Sequence, residues 1–372
     1  MSVQLWIGGD TVPTPSSREA FIAGDPAALL SEGLLPLWQA AEVRIVNLET
    51  PLCDVPSPIE KCGPALMAPR ACGKGLAGLG IAAASLCNNH ILDQGGAGLA
   101  ETKAALAENG VACFGAGETA KEADCAYSFP CGGRRVTVYA LCEHEYSVAG
   151  AASPGANGFD PLELADRVRA LRQGCDYLII LYHGGREYDP YPSPLLQKRC
   201  RKMADCGADL ILCQHSHCVG CVEEYGRAVI VYGQGNFLFD LPGEPAAFDT
   251  GLLVGVDFLK ERPEVTYLPV GRLGRGAGLL TGDPAEKLLS GFTARSREIA
   301  RPGFVEERYR AYAADAREKL LKVFLSGNVL LRGINLLYGR RPSRVYGRET
   351  LLAIRNSLEC ESINELIIEG LR

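Results

Sequence analysis

The first 240 positions alternate between short apolar runs and stretches with helical periodicity. Each apolar run is bounded by turn-forming residues, a pattern that predicts buried strands. The clearest runs lie at 3–7, 43–46, 81–86, 177–181 and 210–213, and each is followed by polar residues. Stretches bounded by capping residues predict helices at 98–109, 161–173 and 195–206. This alternation predicts a layered α/β fold.

The chain changes character after this region. Strand-like segments at 219–224, 228–232, 251–258 and 264–268 predict a strand-rich edge or a second sheet. The Gly-rich stretch 271–282 is expected to be a linker, and periodic stretches at 285–299, 304–325 and 349–358 predict helices. We therefore expect one domain over 1–270, a linker over 271–282 and a helical C-terminal region over 283–372.

Composition narrows the possible classes of protein. The 372 residues carry a net charge of −6, divided into −10 over residues 1–280 and +4 over residues 281–372. An acidic body argues against nucleic-acid binding, which needs a positive surface. The 15 cysteines lack zinc-ribbon spacing and are expected to be buried thiols in a reducing compartment. The sequence has no signal-type N-terminus and no apolar run of about 18 residues. These features and the expected free thiols predict a cytoplasmic location.

Between residues 319 and 348 the chain carries basic side chains and no acid. These are Lys319, Lys322, Arg332, Arg340, Arg341, Arg344 and Arg348. Such a run usually forms a solvated helix face. Because apolar residues interleave with it, the alternative is peripheral contact with a membrane, an anionic polymer or an acidic partner.

Polar residues that suit metal binding follow the predicted strands. Asp10, Glu49 and Asn89 each follow one run, His183 follows another, and His215 and His217 follow the last. The carboxyl ends of strands in an open α/β sheet face the ligand site, so we expect these side chains to converge. Imidazole nitrogen combined with carboxylate and amide oxygen suits Mn, Fe or Zn. The sequence therefore predicts a metal site.

The candidate ligands lie in short motifs that follow one another along the chain. These are Gly9-Asp10, Asn47-Leu48-Glu49, Asn88-Asn89-His90-x-x-Asp93-x-Gly95, His183-Gly184-Gly185-x-Glu187, His215-Ser216-His217 and Gly235-Asn236-Phe237. In this order the motifs resemble those of the CapA family, the capsule or poly-γ-glutamate synthesis proteins related to calcineurin-like metallophosphoesterases. The resemblance covers residues 3–258.

The resemblance implies a four-layer α/β/β/α sandwich with two divalent metal ions, followed here by a helical appendage. By the logic of the superfamily, Asp10 and His217 hold one metal, Asn89, His183 and His215 hold the other, and Glu49 bridges them. His90 then protonates a leaving oxygen or stabilises a phosphoryl group, with Asp93 orienting it. Four further residues are expected to support the ligands or contact the substrate: Asn47, Asn88, Glu187 and Asn236.

Three functions follow from the resemblance. The first is a metal-dependent hydrolase of a phosphoester or related anionic bond, since a two-metal centre clamps a phosphoryl group and activates water. The second is an accessory protein of polymer assembly that binds an anionic polymer or intermediate. The third is amide hydrolysis on polyglutamate. The superfamily usually has D-x-H in its first motif, whereas Asp10 is followed by Thr11-Val12. That departure favours the second function, and the presence of His90 and Glu49 favours the first.

Overall fold

The computed structural model describes residues 3–322, 329–339 and 341–370. The strands are β1 (Leu5–Thr11), β2 (Val43–Leu48), β3 (Ala83–Ser85), β4 (Ala112–Phe114), β5 (Ala116–Gly117), β6 (Tyr127–Cys131), β7 (Arg134–Cys142), β8 (Gly155–Ala156), β9 (Tyr177–His183), β10 (Leu210–Gln214), β11 (Val219–Tyr225), β12 (Ala228–Gln234), β13 (Asn236–Leu238), β14 (Thr250–Asp257), β15 (Glu264–Leu273) and β16 (Gly276–Leu279).

The helices are α1 (Arg18–Ala23), α2 (Pro26–Leu29), α3 (Leu35–Gln39), α4 (Gly73–Gly78), α5 (Gly95–Glu108), α6 (Ala120–Ala123), α7 (Leu164–Gln173), α8 (Pro194–Asp205), α9 (Gly282–Ile299), α10 (Phe304–Leu321), α11 (Val329–Leu337), α12 (Pro342–Val345), α13 (Arg348–Glu359) and α14 (Glu361–Gly370). The chain divides into two compact units, Met1–Val305 and Glu306–Arg372. Among the described residues, none of the helices is both long enough and apolar enough to cross a membrane.

Two large sheets form the first unit. One has the order β16-β15-β14-β1-β2-β3-β4, with β13 also paired to β1. Its strands β1 to β4 run parallel, while β14, β15 and β16 extend it in antiparallel fashion. The other has the order β11-β12-β10-β9-β7-β6, with β7, β9, β10 and β12 parallel and an antiparallel strand at each edge.

Alternation along the strands separates two cores. Ile179 of β9 lies in the core that also contains Ile45 of β2, so the two sheets pack face to face there. Ile180, the next residue, points to the opposite face and packs with Val168 of α7 and Met203 of α8. Phe21 of α1, Leu76 of α4 and Leu106 of α5 belong to the same core as Ile45 and Val46 of β2, so helices also pack against the first sheet. The expected α/β/β/α sandwich, with helices following it in the chain, is confirmed.

Local chemistry explains where the elements begin and end. Ser193 accepts a hydrogen bond from the backbone N–H of Leu196, and Pro194 occupies the first turn, so α8 begins there. The helix expected at 161–173 begins only at Leu164. Residues 161–163 form a turn that leads into this helix: Asp160 Oδ1 accepts a hydrogen bond from the backbone N–H of Leu162, and the Asp160 carbonyl accepts one from that of Leu164.

The Gly-rich stretch 271–282 differs from the expected linker, because it contains the end of β15 and all of β16. Its glycines serve close packing: a Cβ on Gly276 would lie 2.1 Å from the carbonyl oxygen of Leu29. The structural division instead follows Val305. The helix expected at 304–325 ends at Leu321, and residues 323–325 lie outside the described residues.

In the second unit, four side chains of the basic run are exposed: Lys319, Lys322, Arg341 and Arg348. Arg340 lies outside the described residues, as do the side chains of Arg332 and Arg344. Leu336, Leu337 and Tyr338 are exposed large apolar residues in the same segment.

Candidate metal centre

Asp10 forms the base of a buried polar cluster where the two sheets meet. It ends the apolar part of β1 and is fully buried. Asn47 donates its Nδ2 to Asp10 Oδ1 at 2.8 Å, and the backbone N–H of His215 donates to Oδ2 at 3.1 Å. Asn88 in turn donates to Asn47 Oδ1 at 3.1 Å. The Asp10 carboxylate therefore has a fixed orientation, set by residues from both sheets.

His183, at the end of β9, brings the neighbouring groups together. Its Nε2 lies 2.9 Å from Asn89 Oδ1 and 3.2 Å from Glu49 Oε1. Its Nδ1 lies 4.0 Å from Asp10 Oδ1. Glu49 directly follows β2 and Asn89 follows β3, so the ends of parallel strands supply all four groups.

The turn after β10 has an unusual backbone. His215 and His217 have φ values of 86° and 50°, a region that non-glycine residues rarely adopt. The rings of His183 and His215 have centroids 4.9 Å apart. His217 Nδ1 lies 3.0 Å from Asn236 Oδ1 and 3.5 Å from Asp10 Oδ2. Strained backbone that is held by its surroundings is characteristic of functional sites.

Electrostatics in the cluster follow from burial and mutual charge. Burial opposes ionisation of Asp10, but the hydrogen bond with His217 and the charges of His183 and His217 hold its pKa well below the usual value. Burial also disfavours the charged form of His217, yet Glu49 and Asp10 outweigh it and raise the pKa of His217 to about 9. Burial and the two neighbouring histidines lower the pKa of His215 well below its usual value.

The donor atoms fit a bound cation. Both carboxylate oxygens of Glu49 and Nδ1 of His215 are buried without a hydrogen-bond partner, although buried polar atoms are normally satisfied. Glu49, His183 and His215 offer ligand atoms within 4.8 Å of one another, and so do Asp10, Glu49 and His217. Glu49 belongs to both groups. Carboxylate and imidazole are the ligands that Mn, Fe and Zn share.

His90 and Asp93 form a pair beside these ligands. His90 Nδ1 lies 2.6 Å from Asp93 Oδ2, and the His90 side chain is 12% exposed while that of Asp93 is fully buried. Lys61 Nζ lies 2.6 Å from Asp93 Oδ1. Lys61 is not among the site residues predicted from the sequence. The one feature that could have indicated it is the connection over 49–69, which has no helix or strand and is longer than most connections, as functional loops often are.

Other expected residues divide between the interior and the surface. Asn47, Asn88 and Asn236 are buried and support Asp10 or His217. Glu187 is exposed and is not brought into the cluster. Val12, in the position where the superfamily usually has a histidine, packs with Phe239 and Phe248.

This fold, with carboxylate, amide and imidazole groups at the ends of parallel strands from both sheets, defines a metallophosphoesterase-like α/β protein whose buried groups could bind a metal ion. The chain belongs to the family of the bacterial capsule synthesis protein PGA_cap, which matches residues 4–241. The expected resemblance to the CapA family is therefore confirmed.

Several curated relatives are similar to this chain. It is 31% identical over 169 residues to the capsule biosynthesis protein CapA of Bacillus anthracis, covering 43% of this chain and 41% of that protein. It is 31% identical over 157 residues to the PGA biosynthesis protein CapA of Bacillus subtilis, covering 41% of each. A probable polyglutamine synthesis accessory protein of Mycobacterium tuberculosis is 30% identical over 172 residues, covering 43% of this chain and 45% of that protein. The chain thus spans less than half the length of these relatives.

Proposed function

We propose that the protein is a two-metal hydrolase that cleaves a phosphoester in the synthesis of a capsule or another anionic polymer. The observation that carries the proposal is the set of buried ligand atoms without hydrogen-bond partners, both oxygens of Glu49 and Nδ1 of His215. A polar interior is expensive unless something satisfies it, and a cation does so for all three atoms.

The chain's own residues divide into two ligand groups. Glu49, His183 and His215, with Asn89 beside His183, would hold one ion, and Asp10, Glu49 and His217 would hold the other. If bound there, two divalent cations would supply a water-derived nucleophile at neutral pH and would neutralise charge on a phosphoryl group. Asn47 and the His215 backbone fix Asp10, and Asn236 fixes His217, so the ligands are oriented before an ion arrives.

His90 provides acid–base chemistry beside the ligands. Because Asp93 accepts a hydrogen bond from Nδ1, the other ring nitrogen, Nε2, is left for the substrate. A positioned imidazole of this kind transfers a proton to a leaving oxygen, a contribution of roughly 10²–10⁴-fold in rate. Amide bonds are the less favoured substrates, because a phosphoryl group offers several oxygens to two cations and an amide carbonyl offers one.

The experiment measures hydrolysis of p-nitrophenyl phosphate, a monoester, and bis(p-nitrophenyl) phosphate, a diester, with added Mn. We expect hydrolysis that His90→Ala reduces by roughly 10²–10⁴-fold while bound metal stays unchanged. His144→Ala is the matched control, because His144 is an exposed histidine outside the cluster. Failure of the purified protein to hydrolyse either ester with metal bound would contradict the proposal.

The second candidate is an accessory protein that binds an anionic polymer without cleaving it. Val12 packs against Phe239 and Phe248 rather than adding a ligand beside Asp10, so that half of the centre has fewer side-chain donors. The Mycobacterium tuberculosis relative is called an accessory protein, which also favours this function. Metal binding and retention of polymer on the protein, without hydrolysis, would distinguish it from the first.

A further inference from the structure

Lys61 places a buried ammonium in an otherwise exposed coil. Most residues from 54 to 65 are exposed, whereas the side chain of Lys61 is only 4% exposed. Its Nζ lies 2.6 Å from Asp93 Oδ1, and the Asp93 side chain is fully buried. Burying a charged pair gives little net stability compared with an apolar pair of similar size. The burial of Lys61 therefore points to a role beyond packing, through the groups that Asp93 contacts.

Asp93 is held at both carboxylate oxygens. Lys61 occupies Oδ1, and the backbone N–H of Leu66 donates to Oδ2 at 2.6 Å. The remaining partner of Oδ2 is His90 Nδ1, also at 2.6 Å. With Lys61 and Leu66 in place, the carboxylate has no freedom to rotate away from the imidazole. The direction of the His90 ring is thus set through Asp93 by the coil that carries Lys61.

The coil itself is anchored at several points around Lys61. The backbone N–H of Ile59 donates to the carbonyl of Asp93 at 3.1 Å, and that of Ser57 donates to Gln94 Oε1 at 2.7 Å. On the other side, the backbone N–H of Cys62 donates to Tyr146 Oη at 3.1 Å. Lys61 Nζ lies 5.7 Å from the centroid of the Tyr146 ring, within range of a cation–π contact. Tyr146 follows β7, so loops from both sheets hold the ammonium.

We propose that Lys61 is a positioning residue: its ammonium fixes the Asp93 carboxylate, which holds His90 Nδ1 and leaves Nε2 directed at the substrate. The ammonium and the imidazole share the Asp93 carboxylate, each 2.6 Å from one of its oxygens, and Lys61 Nζ lies 3.4 Å from His90 Nδ1. A point charge with three donors can serve Asp93 from this position while His90 keeps its own hydrogen bond. The inference rests on the proposed function, in which His90 acts on the substrate.

Two substitutions and one control test the role. Lys61→Met removes the charge and the donor at similar length, and Lys61→Arg restores both. Lys121→Met replaces an exposed lysine of α6 and is the matched control. With bis(p-nitrophenyl) phosphate and Mn, Lys61→Met should lower kcat roughly 10–100-fold with KM and bound metal unchanged. Lys61→Arg should recover most of kcat, and Lys121→Met should match the wild type.

A second readout does not depend on activity. In the ¹⁵N-labelled protein, loaded with diamagnetic zinc and again in EDTA, His90 Nδ1–H should give a downfield proton resonance because of its short hydrogen bond to a carboxylate. The resonance is assigned by its loss in His90→Gln. It should disappear or broaden in Lys61→Met and persist in Lys61→Arg. Should Lys61→Met fail to fold, Lys61→Gln, which keeps a polar side chain, takes its place.

The two failures are distinguishable. If the wild type cleaves neither ester, the proposed function fails, while the resonance still decides whether Lys61 holds His90 through Asp93. If Lys61→Met keeps the resonance and a kcat within twofold of the wild type, Lys61 is not a positioning residue. A loss of kcat in Lys61→Met that Lys61→Arg does not recover, with the resonance unchanged in both, would also overturn the proposal.

Discussion

Glu49 Oε1 and His183 Nε2 lie 3.2 Å apart in the interior, yet neither oxygen of Glu49 has a hydrogen-bond partner. These two candidate ligand groups therefore lie close together in the interior. The nearer contact of His183 Nε2 is with Asn89 Oδ1, at 2.9 Å. Two ligand groups share Glu49, so this carboxylate is the point on which both candidate metal positions depend.

Replacing the shared carboxylate should abolish stabilisation by metal. In the wild type, Mn at 100 times its dissociation constant should stabilise the protein by about 2.7 kcal/mol, because it binds the folded state alone. Glu49→Gln keeps the shape but removes the charge, so the Mn-dependent rise in Tm should vanish. Thermal unfolding with Mn and with EDTA measures it. Glu145→Gln, at an exposed glutamate, is the control and should keep the full rise. An undiminished rise in Glu49→Gln would argue that the carboxylate binds no metal.

The metal-free protein should lose stability as pH rises from about 6.5 to about 9. Burial disfavours the charged form of His217, but Glu49 and Asp10 outweigh it and raise the pKa of His217 to about 9. A raised pKa in the folded state means that the protonated histidine stabilises the fold below its unfolded pKa, and that this stabilisation disappears as pH passes the folded pKa. Denaturant unfolding in EDTA should show a loss of roughly 1–3 kcal/mol across this range. His217→Gln should flatten the slope, and an equal slope in that variant would refute the assignment.

Gly9 is required for the approach of β1 and β13. A Cβ at this position would lie 2.1 Å from the carbonyl oxygen of Gly235, a backbone atom that cannot move aside on its own. Gly9→Ala should therefore destabilise the protein by about 3 kcal/mol and displace Asp10, weakening Mn binding. Gly33→Ala is the matched control, since a Cβ there meets nothing within 4 Å. Equal unfolding free energies for the two variants would contradict the steric account.

The interpretation of the basic run as a membrane contact predicts weak binding to anionic vesicles. Lys319, Lys322, Arg341 and Arg348 are exposed, and each basic side chain near such a surface adds about 1 kcal/mol. The full chain should co-sediment with vesicles containing phosphatidylserine and not with pure phosphatidylcholine. Arg341→Glu combined with Arg348→Glu should reduce binding, as should added salt. No binding to phosphatidylserine vesicles would leave the run as a solvated helix face.

Sequence patterns were most informative where burial is continuous. The runs that end at Asp10, Glu49 and His183 are apolar on both faces because each strand lies between two layers, and they are readable as strands for that reason. The polar residues at the carboxyl ends of these strands could be expected to converge, because that edge of a parallel sheet is where ligands bind.

Contacts between segments that are distant in the chain could not be predicted from the sequence in this way. In the sequence alone, the glycines of 271–282 suggest a flexible segment. In the structure, position 276 requires a glycine because the Leu29 carbonyl leaves no room for a Cβ. Lys61 carries no periodic signal, since its position depends on a coil folding back onto Asp93. The positive φ of His215 and His217 likewise follows from tertiary contacts rather than from residue type.

Glu49 belongs to both groups of candidate metal ligands in this buried centre. The number of ions that the centre holds can be measured on the purified full chain, after saturation with Mn and removal of free ion, by inductively coupled plasma mass spectrometry. We expect about two Mn ions per chain in the wild type and fewer than one in Glu49→Gln. Fewer than one ion per wild-type chain at saturation would show that Glu49 does not join two metal positions.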